Sequence, residues 1–414
     1  MSNEEKLVRM LKYVSEHNDF YKKRIKEYGI TNPLDITQWP VLTRKELQEN
    51  RYNMFSEGYK SKYYNQQLLR QSSSGSSGIP VNVYWDYKDW YTSNLSLWRK
   101  RWNLYGIRPG DKYMLFTLDA LNMQNDGESI YYIKQSDNII AANVSLIQND
   151  SGYNKLVDII DEFKPKWFYV QPFVLNKLIQ AYRRVEKTPP RSLEYIESVG
   201  EILSADLRRR SIELFGVSIA NMYGSEEMNS IAYEYPDSHM YTLNDNVFLE
   251  VKNEQGVYHS YSGCAIITNL NNKAMPLIRY SQGDALEIVL PKFPKKFFDP
   301  IIIKTIKGRV LDAIKLPNGM EINPYLLLEV ISEVNNYTKD MINDFAFTYH
   351  KYSNILDCCL AVSNASWQEN ISSLTDSTLK RKLGSNIDIK THIFQANINK
   401  DNSKKKRIVE IQEN

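Results

Sequence analysis

Residues 72–80 read Ser72-Ser73-Ser74-Gly75-Ser76-Ser77-Gly78-Ile79-Pro80, and a strand-like run, Val81-Asn82-Val83-Tyr84-Trp85, follows at once. Glycine allows backbone dihedrals that turn several N–H groups toward one point, and serine adds hydroxyl donors without bulk. A loop of this composition can wrap the phosphates of a nucleotide. It is not the loop of common NTPases, because no lysine follows the second glycine. The alternative interpretation is a flexible Ser/Gly linker.

Length and composition limit the class of protein. A chain of 414 residues is long enough for two or more domains with ample core. Its net charge of +3 gives no indication of a nucleic-acid partner. Three cysteines, Cys264, Cys358 and Cys359, are too few for a disulfide framework, and no C-x-x-C pair indicates zinc. The N-terminus lacks the apolar core of a signal peptide, and no apolar run approaches the roughly 18 residues of a membrane span. We therefore expect a cytoplasmic protein without a membrane partner.

Strand and helix patterns alternate from about residue 80 to residue 225, after an amphipathic helix predicted over residues 4–27. The predicted strands are 113–116, 139–144, 167–170, 193–199 and 217–222, and the predicted helices are 85–105, 156–163, 174–185 and 205–215. This alternation favours a mainly parallel sheet with helices on both faces.

The pattern changes after residue 240. Short strands without long helices predict a distorted β subdomain over residues 240–290, and strands and helices return beyond residue 308. We therefore predict an α/β fold. Its large N-terminal domain, residues 1–308, has mainly parallel sheets flanked by helices plus the β subdomain. Its small C-terminal domain, residues 309–414, is α+β.

An acidic segment, Met222-Tyr223-Gly224-Ser225-Glu226-Glu227, follows one predicted buried strand. In doubly wound sheets, ligands bind beyond the carboxyl ends of the strands. A carboxylate in that place suits Mg²⁺, which takes oxygen ligands and usually keeps waters and substrate phosphates as partners. The alternative is an exposed acidic loop.

Two later segments also carry polar residues at strand ends. Residues 277–284 read Leu-Ile-Arg-Tyr-Ser-Gln-Gly-Asp, and a carboxylate fixed there, Asp284, can accept hydrogen bonds from both hydroxyls of a ribose. Residues 306–315, which include Gly308-Arg309, join the two predicted domains. The alternative for residues 277–284 is an ordinary Gly-Asp turn, and the alternative for residues 306–315 is an ordinary interdomain linker.

Together these four segments resemble motifs of the adenylate-forming superfamily of acyl-CoA synthetases and adenylation domains. Residues 73–80 resemble its S-S-G-T-T-G-K-P loop, 223–227 resemble Y-G-x-T-E, 279–284 resemble R-Y-R-T-G-D, and 308–312 resemble G-R-x-D-D. Residues 274–280 and 321–324 are similar to the phenylacetate-CoA ligase-like branch. The resemblance spans nearly the whole chain.

The resemblance implies a two-step reaction, a mobile C-terminal domain that rotates between the two steps, and roles for individual residues. A carboxylate attacks the α-phosphate of ATP to give acyl-AMP and pyrophosphate, and a thiol or an amine then displaces AMP. Glu227 would coordinate Mg²⁺, Asp284 would hold the ribose, and Arg309 would contact ribose or phosphate. The β- and γ-phosphates would lie in the loop of Ser73, Ser74, Gly75, Ser76, Ser77 and Gly78. Gly200-Glu201 would lie along the adenine and the acyl pocket, and the adenine would stack near Tyr223, which Gly224 and Ser225 follow in the motif.

The family's catalytic lysine lies near its C-terminus, and Lys404 matches it best. Lys405 and Lys406 are alternatives for the role, and a solvated basic tail is the structural alternative. Phe116, Met123 and their neighbours are expected to form the acyl pocket.

Three departures from the family pattern bear on function. Ile79 replaces the loop lysine, Glu226 replaces a threonine or serine, and Leu311 replaces the first aspartate of the hinge pair, before Asp312. These changes weaken the case for the thioester step. Three interpretations stay open: a ligase that passes an acyl group, with an aryl acid favoured, to CoA; an adenylating enzyme that uses an amine or a carrier-protein thiol; and a non-catalytic nucleotide-binding homologue. A homodimer is one alternative for the assembly.

Overall fold

The computed structural model describes most of the chain in two compact units. The described residues are 3–72, 81–117, 124–125, 128–129, 131–143, 150–256, 258–289, 299–309, 314–316, 321–322, 324–338, 341–362, 368–384, 387–395 and 408–411. Unit one comprises Met1–Arg108 and Ala220–Val310, and unit two comprises Pro109–Ile219 and Leu311–Asn414. The domain boundary after residue 308 stays a prediction.

The first segment of unit one is mainly helical. Its elements are α1 (Asn3–His17), α2 (Asp19–Glu27), a 3-10 turn (Ile36–Gln38), α3 (Arg44–Asn50), α4 (Tyr59–Tyr64), β1 (Leu69–Ser72), β2 (Asn82–Trp85) and α5 (Tyr87–Tyr105). The helix predicted over 4–27 is divided at Asn18, whose side chain accepts a hydrogen bond from the Tyr21 N–H and caps α2. Strands β1 and β2 pair antiparallel, and the predicted phosphate loop, residues 73–80, lies outside the described residues.

The first segment of unit two carries the predicted parallel sheet. Its elements are β3 (Tyr113–Thr117), β4 (Gln124–Asn125), β5 (Glu128–Ser129), β6 (Tyr132–Ser136), β7 (Ile139–Asn143), α6 (Asp150–Phe163), β8 (Trp167–Val170), α7 (Pro172–Val185), β9 (Tyr195–Val199) and α8 (Ala205–Phe215). The order β9-β8-β3-β7 is parallel throughout, and β6 pairs antiparallel with β7. Apolar side chains of α6, α7 and α8 pack with those of the strands in one core. The α/β prediction is confirmed here.

The second segment of unit one is antiparallel and irregular. Its strands are β10 (Ser218–Ser225), β11 (Asn229–Glu234), β12 (Met240–Thr242), β13 (Val247–Lys252), β14 (Ser262–Asn269), β15 (Tyr280–Val289) and β16 (Ile302–Arg309). They lie in the order β13-β14-β15-β16-β12-β11-β10. Register shifts interrupt the β10–β11, β14–β15 and β15–β16 pairs. The predicted distorted β subdomain is present, and β10 extends beyond the predicted strand to include Tyr223, Gly224 and Ser225.

The second segment of unit two is α+β, as predicted. Its elements are β17 (Ile314–Lys315), β18 (Glu321–Ile322), α9 (Pro324–Thr338), β19 (Ile342–His350), β20 (Ile355–Val362), α10 (Gln368–Leu383), β21 (Asp388–Gln395) and β22 (Ile408–Ile411). Four strands form a sheet in the order β21-β20-β19-β22. Leu327, Phe347 and Leu379 bring α9, the sheet and α10 into one core.

The loop before α3 is tied directly to β15. The Leu42 N–H donates to the Arg279 carbonyl at 2.9 Å, and the Ser281 N–H donates to the Leu42 carbonyl at 2.9 Å. This bridge fixes the start of α3 beside the strand that carries Asp284.

Within the described residues, no helix has both the length and the apolar character needed to cross a bilayer.

Candidate functional site

Side chains from two of the four predicted motifs meet in unit one. The first lies at the end of β10, and residues 226–228 form the turn that leads to β11. The second lies on β15, which carries Tyr280, Gln282 and Asp284. The two segments are distant in sequence, so it is the packing of unit one that brings their polar side chains together.

Tyr223, Gln282 and Asp284 form a closed set of hydrogen bonds. The Tyr223 hydroxyl donates to Asp284 Oδ2 at 2.6 Å. Gln282 Nε2 donates to the Tyr223 oxygen at 2.7 Å and to the same Asp284 oxygen at 2.6 Å. The Ser225 hydroxyl donates to Gln282 Oε1 at 3.0 Å, and so connects the turn to the set.

This arrangement fixes the Asp284 carboxylate. Tyr223 is buried, at 8 % exposure, and burial followed by the Asp284 charge raises the pKa of its hydroxyl well above the ordinary value. The hydroxyl therefore keeps its proton and acts as a donor to Asp284. A carboxylate held in this way can accept hydrogen bonds from sugar hydroxyls, as acidic residues do in other nucleotide sites.

Glu227 is a buried carboxylate with a cation beside it. Its side chain is 2 % exposed, and Oε1 lies 3.5 Å from the Tyr280 hydroxyl and 3.5 Å from Nη1 of Arg44. A buried charge is costly unless it is paired, so Arg44 stabilises the ionised carboxylate.

The donor set around Glu227 fits Mg²⁺ that is bound mainly through a substrate. In the part of the chain that the structure describes, no group of three His, Cys, Asp or Glu side chains could hold a metal ion. Mg²⁺ is commonly held by one or two carboxylates and takes its other ligands from water and phosphates. Glu227 can supply that carboxylate without further protein ligands.

Gly224 is required by the close approach of β10 and β11. A Cβ atom at this position would lie 2.4 Å from the Asn229 carbonyl oxygen, far inside contact distance. The nearby Asn229 takes a positive φ of 62°, and the register of the two strands shifts between Tyr223 and Gly224. Steric fit within the hairpin therefore explains this glycine of the motif.

Arg279, in the second motif, stabilises the fold. Its guanidinium donates to both oxygens of Glu250, at 2.9 and 3.0 Å, and to the Trp39 carbonyl at 2.6 Å. Arg279 and Glu250 are both buried, so the bidentate pair fixes β15 against β13 and the loop before α3.

Gly200 and Glu201 lie in unit two, after β9. Gly200 has a φ of +78°, which favours glycine, and Glu201 Oε2 accepts a hydrogen bond from the Phe173 N–H at 3.2 Å. Glu201 thus satisfies a backbone donor in the first turn of α7. Its predicted place along the adenine stays a prediction.

The remaining predicted residues are described in part or lie outside the described residues. The backbone of Arg309 pairs opposite Asp284, at the end of β16. Ser73, Ser74, Gly75, Ser76, Ser77, Gly78, Ile79, Met123, Leu311, Asp312, Lys404, Lys405 and Lys406 lie outside the described residues.

Sequence reasoning missed two residues of this region. Gln282 lies two positions before Asp284, the spacing that places two residues on one face of a strand, and this was the available signal. Nothing in the local sequence pattern relates Arg44 to Glu227.

Comparisons with known proteins bear on the fold and on the relatives of this chain. No protein-family model matches the chain. Phenylacetate-coenzyme A ligase of Thermus thermophilus is 24 % identical over 306 residues, which are 68 % of this chain and 64 % of that protein. Fumarate–(S)-2,3-diaminopropanoate ligase of Enterobacter agglomerans is 23 % identical over 156 residues, 36 % of this chain and 38 % of that protein. Both matches span less than two thirds of the relative's own length.

A solved structure shares the fold. The crystal structure of 2-hydroxyisobutyryl-CoA ligase in the postadenylation state, in complex with R3-HIB-AMP, superposes with a TM-score of 0.75 at 19 % identity and covers 99 % of this chain and 89 % of that one. The chain therefore shares the fold of this ligase, and the relatives named above agree with the predicted resemblance to the adenylate-forming superfamily.

Proposed function

We propose that this chain is an ATP-dependent ligase that adenylates a carboxylic acid and then transfers the acyl group to a thiol. The observation that carries the proposal is the hydrogen-bonded set of Tyr223, Gln282 and Asp284, which joins two of the four motifs. The relatives and the shared fold support adenylation as the first step.

The chemistry of that step explains the residue types. Both the acid and ATP are anionic, so charge must be neutralised where it develops, and the reactants must be held in line. Asp284 would accept hydrogen bonds from the ribose and fix the nucleotide. Glu227 would hold Mg²⁺, which supplies charge neutralisation at the phosphates. Arg309 and Lys404 would add cations, and the serine- and glycine-rich loop would supply hydrogen-bond donors.

We propose CoA as the acceptor thiol and an aryl acid as the substrate. The name of the Thermus relative pairs an aryl acid with CoA, and the solved structure is also a CoA ligase. A screen of acids identifies the substrate.

A second candidate acceptor is an amine or a carrier-protein thiol. The Enterobacter relative, whose name joins an acid to a diamino acid, favours the amine. The departures at Ile79, Glu226 and Leu311 agree with this candidate, because they weaken the case for transfer to CoA.

ATP–pyrophosphate exchange with a panel of aryl, alkyl and amino acids tests the proposal. We expect exchange that depends on Mg²⁺ with at least one acid. CoA and amines are then added to the best acid, and the product identifies the acceptor. Absence of exchange across the whole panel, with folded protein, would favour the non-catalytic nucleotide-binding homologue.

A further inference from the structure

Arg44 is held at the site by backbone contacts of its own segment. It is the first residue of α3, where Thr43 and Glu46 form a reciprocal capping box. Two residues before it, Leu42 is hydrogen-bonded on both sides to β15. The position of Arg44 relative to β15 is therefore fixed by the backbone as well as by its side chain.

The Arg44 charge lies in a sheltered environment. Its side chain is 14 % exposed, and Nη1 is 3.5 Å from Oε1 of Glu227, the carboxylate proposed to hold Mg²⁺. A charge acts more strongly there than in water, because the effective dielectric constant is lower. The separation exceeds the roughly 2.7–2.9 Å of a tight charge-assisted hydrogen bond. At this distance the contact between Nη1 and Oε1 is electrostatic.

The sequence lacks one cation that the resembled family has. The resembled family has a lysine in its phosphate loop, and this chain has the neutral Ile79. The triphosphate of ATP is strongly anionic, and a site without the loop lysine needs a positive charge from another segment. A guanidinium has five donors in a rigid fork that matches phosphate oxygens.

We propose that Arg44 is a phosphate-side cation of this site. Its guanidinium pairs with Glu227 in the nucleotide-free protein and donates to phosphate oxygens of bound ATP. It thereby takes the electrostatic role that the loop lysine has in the resembled family. This inference rests on the proposed function, because that function places ATP beside Glu227.

Calorimetric titration of the full chain with ATP, in EDTA and again in Mg²⁺, tests the inference. Arg44→Met should weaken ATP binding about 10- to 100-fold in EDTA, the loss typical of a hydrogen bond between charged groups. Arg44→Lys should retain part of the ATP affinity, because it keeps the positive charge but loses the planar set of guanidinium donors.

Arg24→Met is the matched control. Arg24 is also buried and holds the same helix, since it donates to Glu46 at 2.6 Å and to the Val41 carbonyl at 3.2 Å. It should change ATP affinity little. Equal losses in Arg24→Met and Arg44→Met would mean that displacement of α3 explains the effect, and would overturn the inference.

A double variant, Arg44→Met with Glu227→Gln, keeps the test valid if Arg44→Met fails to fold, because it leaves no unpaired carboxylate. In EDTA the double variant should lose as much ATP affinity as Arg44→Met does. Glu227→Gln alone should keep its ATP affinity in EDTA and lose only the additional affinity that Mg²⁺ provides. Unchanged ATP affinity in EDTA, in Arg44→Met or in the double variant, overturns the role of Arg44. Absence of ATP binding by the unaltered protein would instead overturn the nucleotide site, and with it the proposed function.

Discussion

The hydroxyl oxygen of Tyr223 lies 2.6 Å from Oδ2 of Asp284, although the two residues are 61 positions apart in the chain. Gln282 donates to both groups, and Ser225 donates to Gln282. Each motif by itself has an ordinary structural explanation, an acidic turn or a Gly-Asp turn. Their direct contact supports the nucleotide site that we propose.

Tyr223→Phe should weaken ATP binding roughly tenfold or more, because it removes a hydrogen bond to a charged group that contributes about 1.5–3 kcal/mol. Calorimetry measures this directly. Tyr241→Phe is the control, since it removes an exposed Tyr–Asp hydrogen bond of 2.9 Å, to Asp237. Equal affinities for the two variants would show that the Asp284 carboxylate needs no support from Tyr223.

Glu227→Ala and Asp284→Ala should separate the metal from the ribose. Loss of Glu227 should raise the Mg²⁺ concentration needed for exchange and lower kcat. Loss of Asp284 should mainly raise KM for ATP, since the ribose is held in the ground state and the transition state alike. If Glu226→Ala is inactive while Glu227→Ala resembles the unaltered enzyme, Glu226 is the functional carboxylate of the motif.

Gly224→Ala should destabilise the protein by about 1–3 kcal/mol, because the added methyl would overlap the Asn229 carbonyl oxygen. Gly110→Ala is the control, since a Cβ there would have no neighbour within 4 Å. Urea unfolding monitored by fluorescence compares the two midpoints. Similar midpoints would mean that β10 and β11 can separate at this point with little cost.

Stability should fall as pH rises above about 10, where tyrosines of the unfolded chain ionise. Burial raises the pKa of Tyr21, and burial with the Asp284 charge raises that of Tyr223, so both stay protonated when folded. Above pH ~10 the unfolded state therefore binds fewer protons than the folded state. The stability that these two tyrosines contribute is complete below that pH. It is lost as the pH rises through their folded-state pKa values.

Urea midpoints measured from neutral to alkaline pH check the sign of this dependence. Tyr21→Phe should make the alkaline decline shallower, whereas replacement of the exposed Tyr28 by Phe is the matched control. A decline of equal slope in both variants would assign the alkaline loss to other groups.

Lys404→Ala should lower the adenylation rate about 10²–10³-fold, the loss typical when one donor to developing charge is removed from a closed site. Acyl transfer from preformed acyl-AMP should remain largely intact, because we propose that the C-terminal domain rotates between the two steps. Single-turnover measurements of each half-reaction on Lys404→Ala, Lys405→Ala and Lys406→Ala compare the three residues. Small, equal effects would identify a solvated tail.

Hydrophobic periodicity predicted most of the secondary structure. The helix predicted over residues 205–215 matches α8 at both ends, and the strand predicted over residues 167–170 matches β8 at both ends. Such elements are short-range patterns of apolar residues, so the sequence carries them directly. The helix predicted over 4–27 was too long because the polar Asn18 caps a second helix, which apolar spacing alone does not indicate.

The sequence by itself determined the fold class, the order of the elements and the four motifs, because these depend on local propensity and on the spacing of residue types. Only the tertiary structure decided that Gln282 connects Ser225, Tyr223 and Asp284, and that Arg44 lies beside Glu227. Contacts between distant segments depend on strand register and on the bridge from Leu42 to β15. A shift of one residue in register would turn these side chains to the other face of the sheet. Alternating burial along a strand favours one face, but which distant segment pairs with it is decided by tertiary packing.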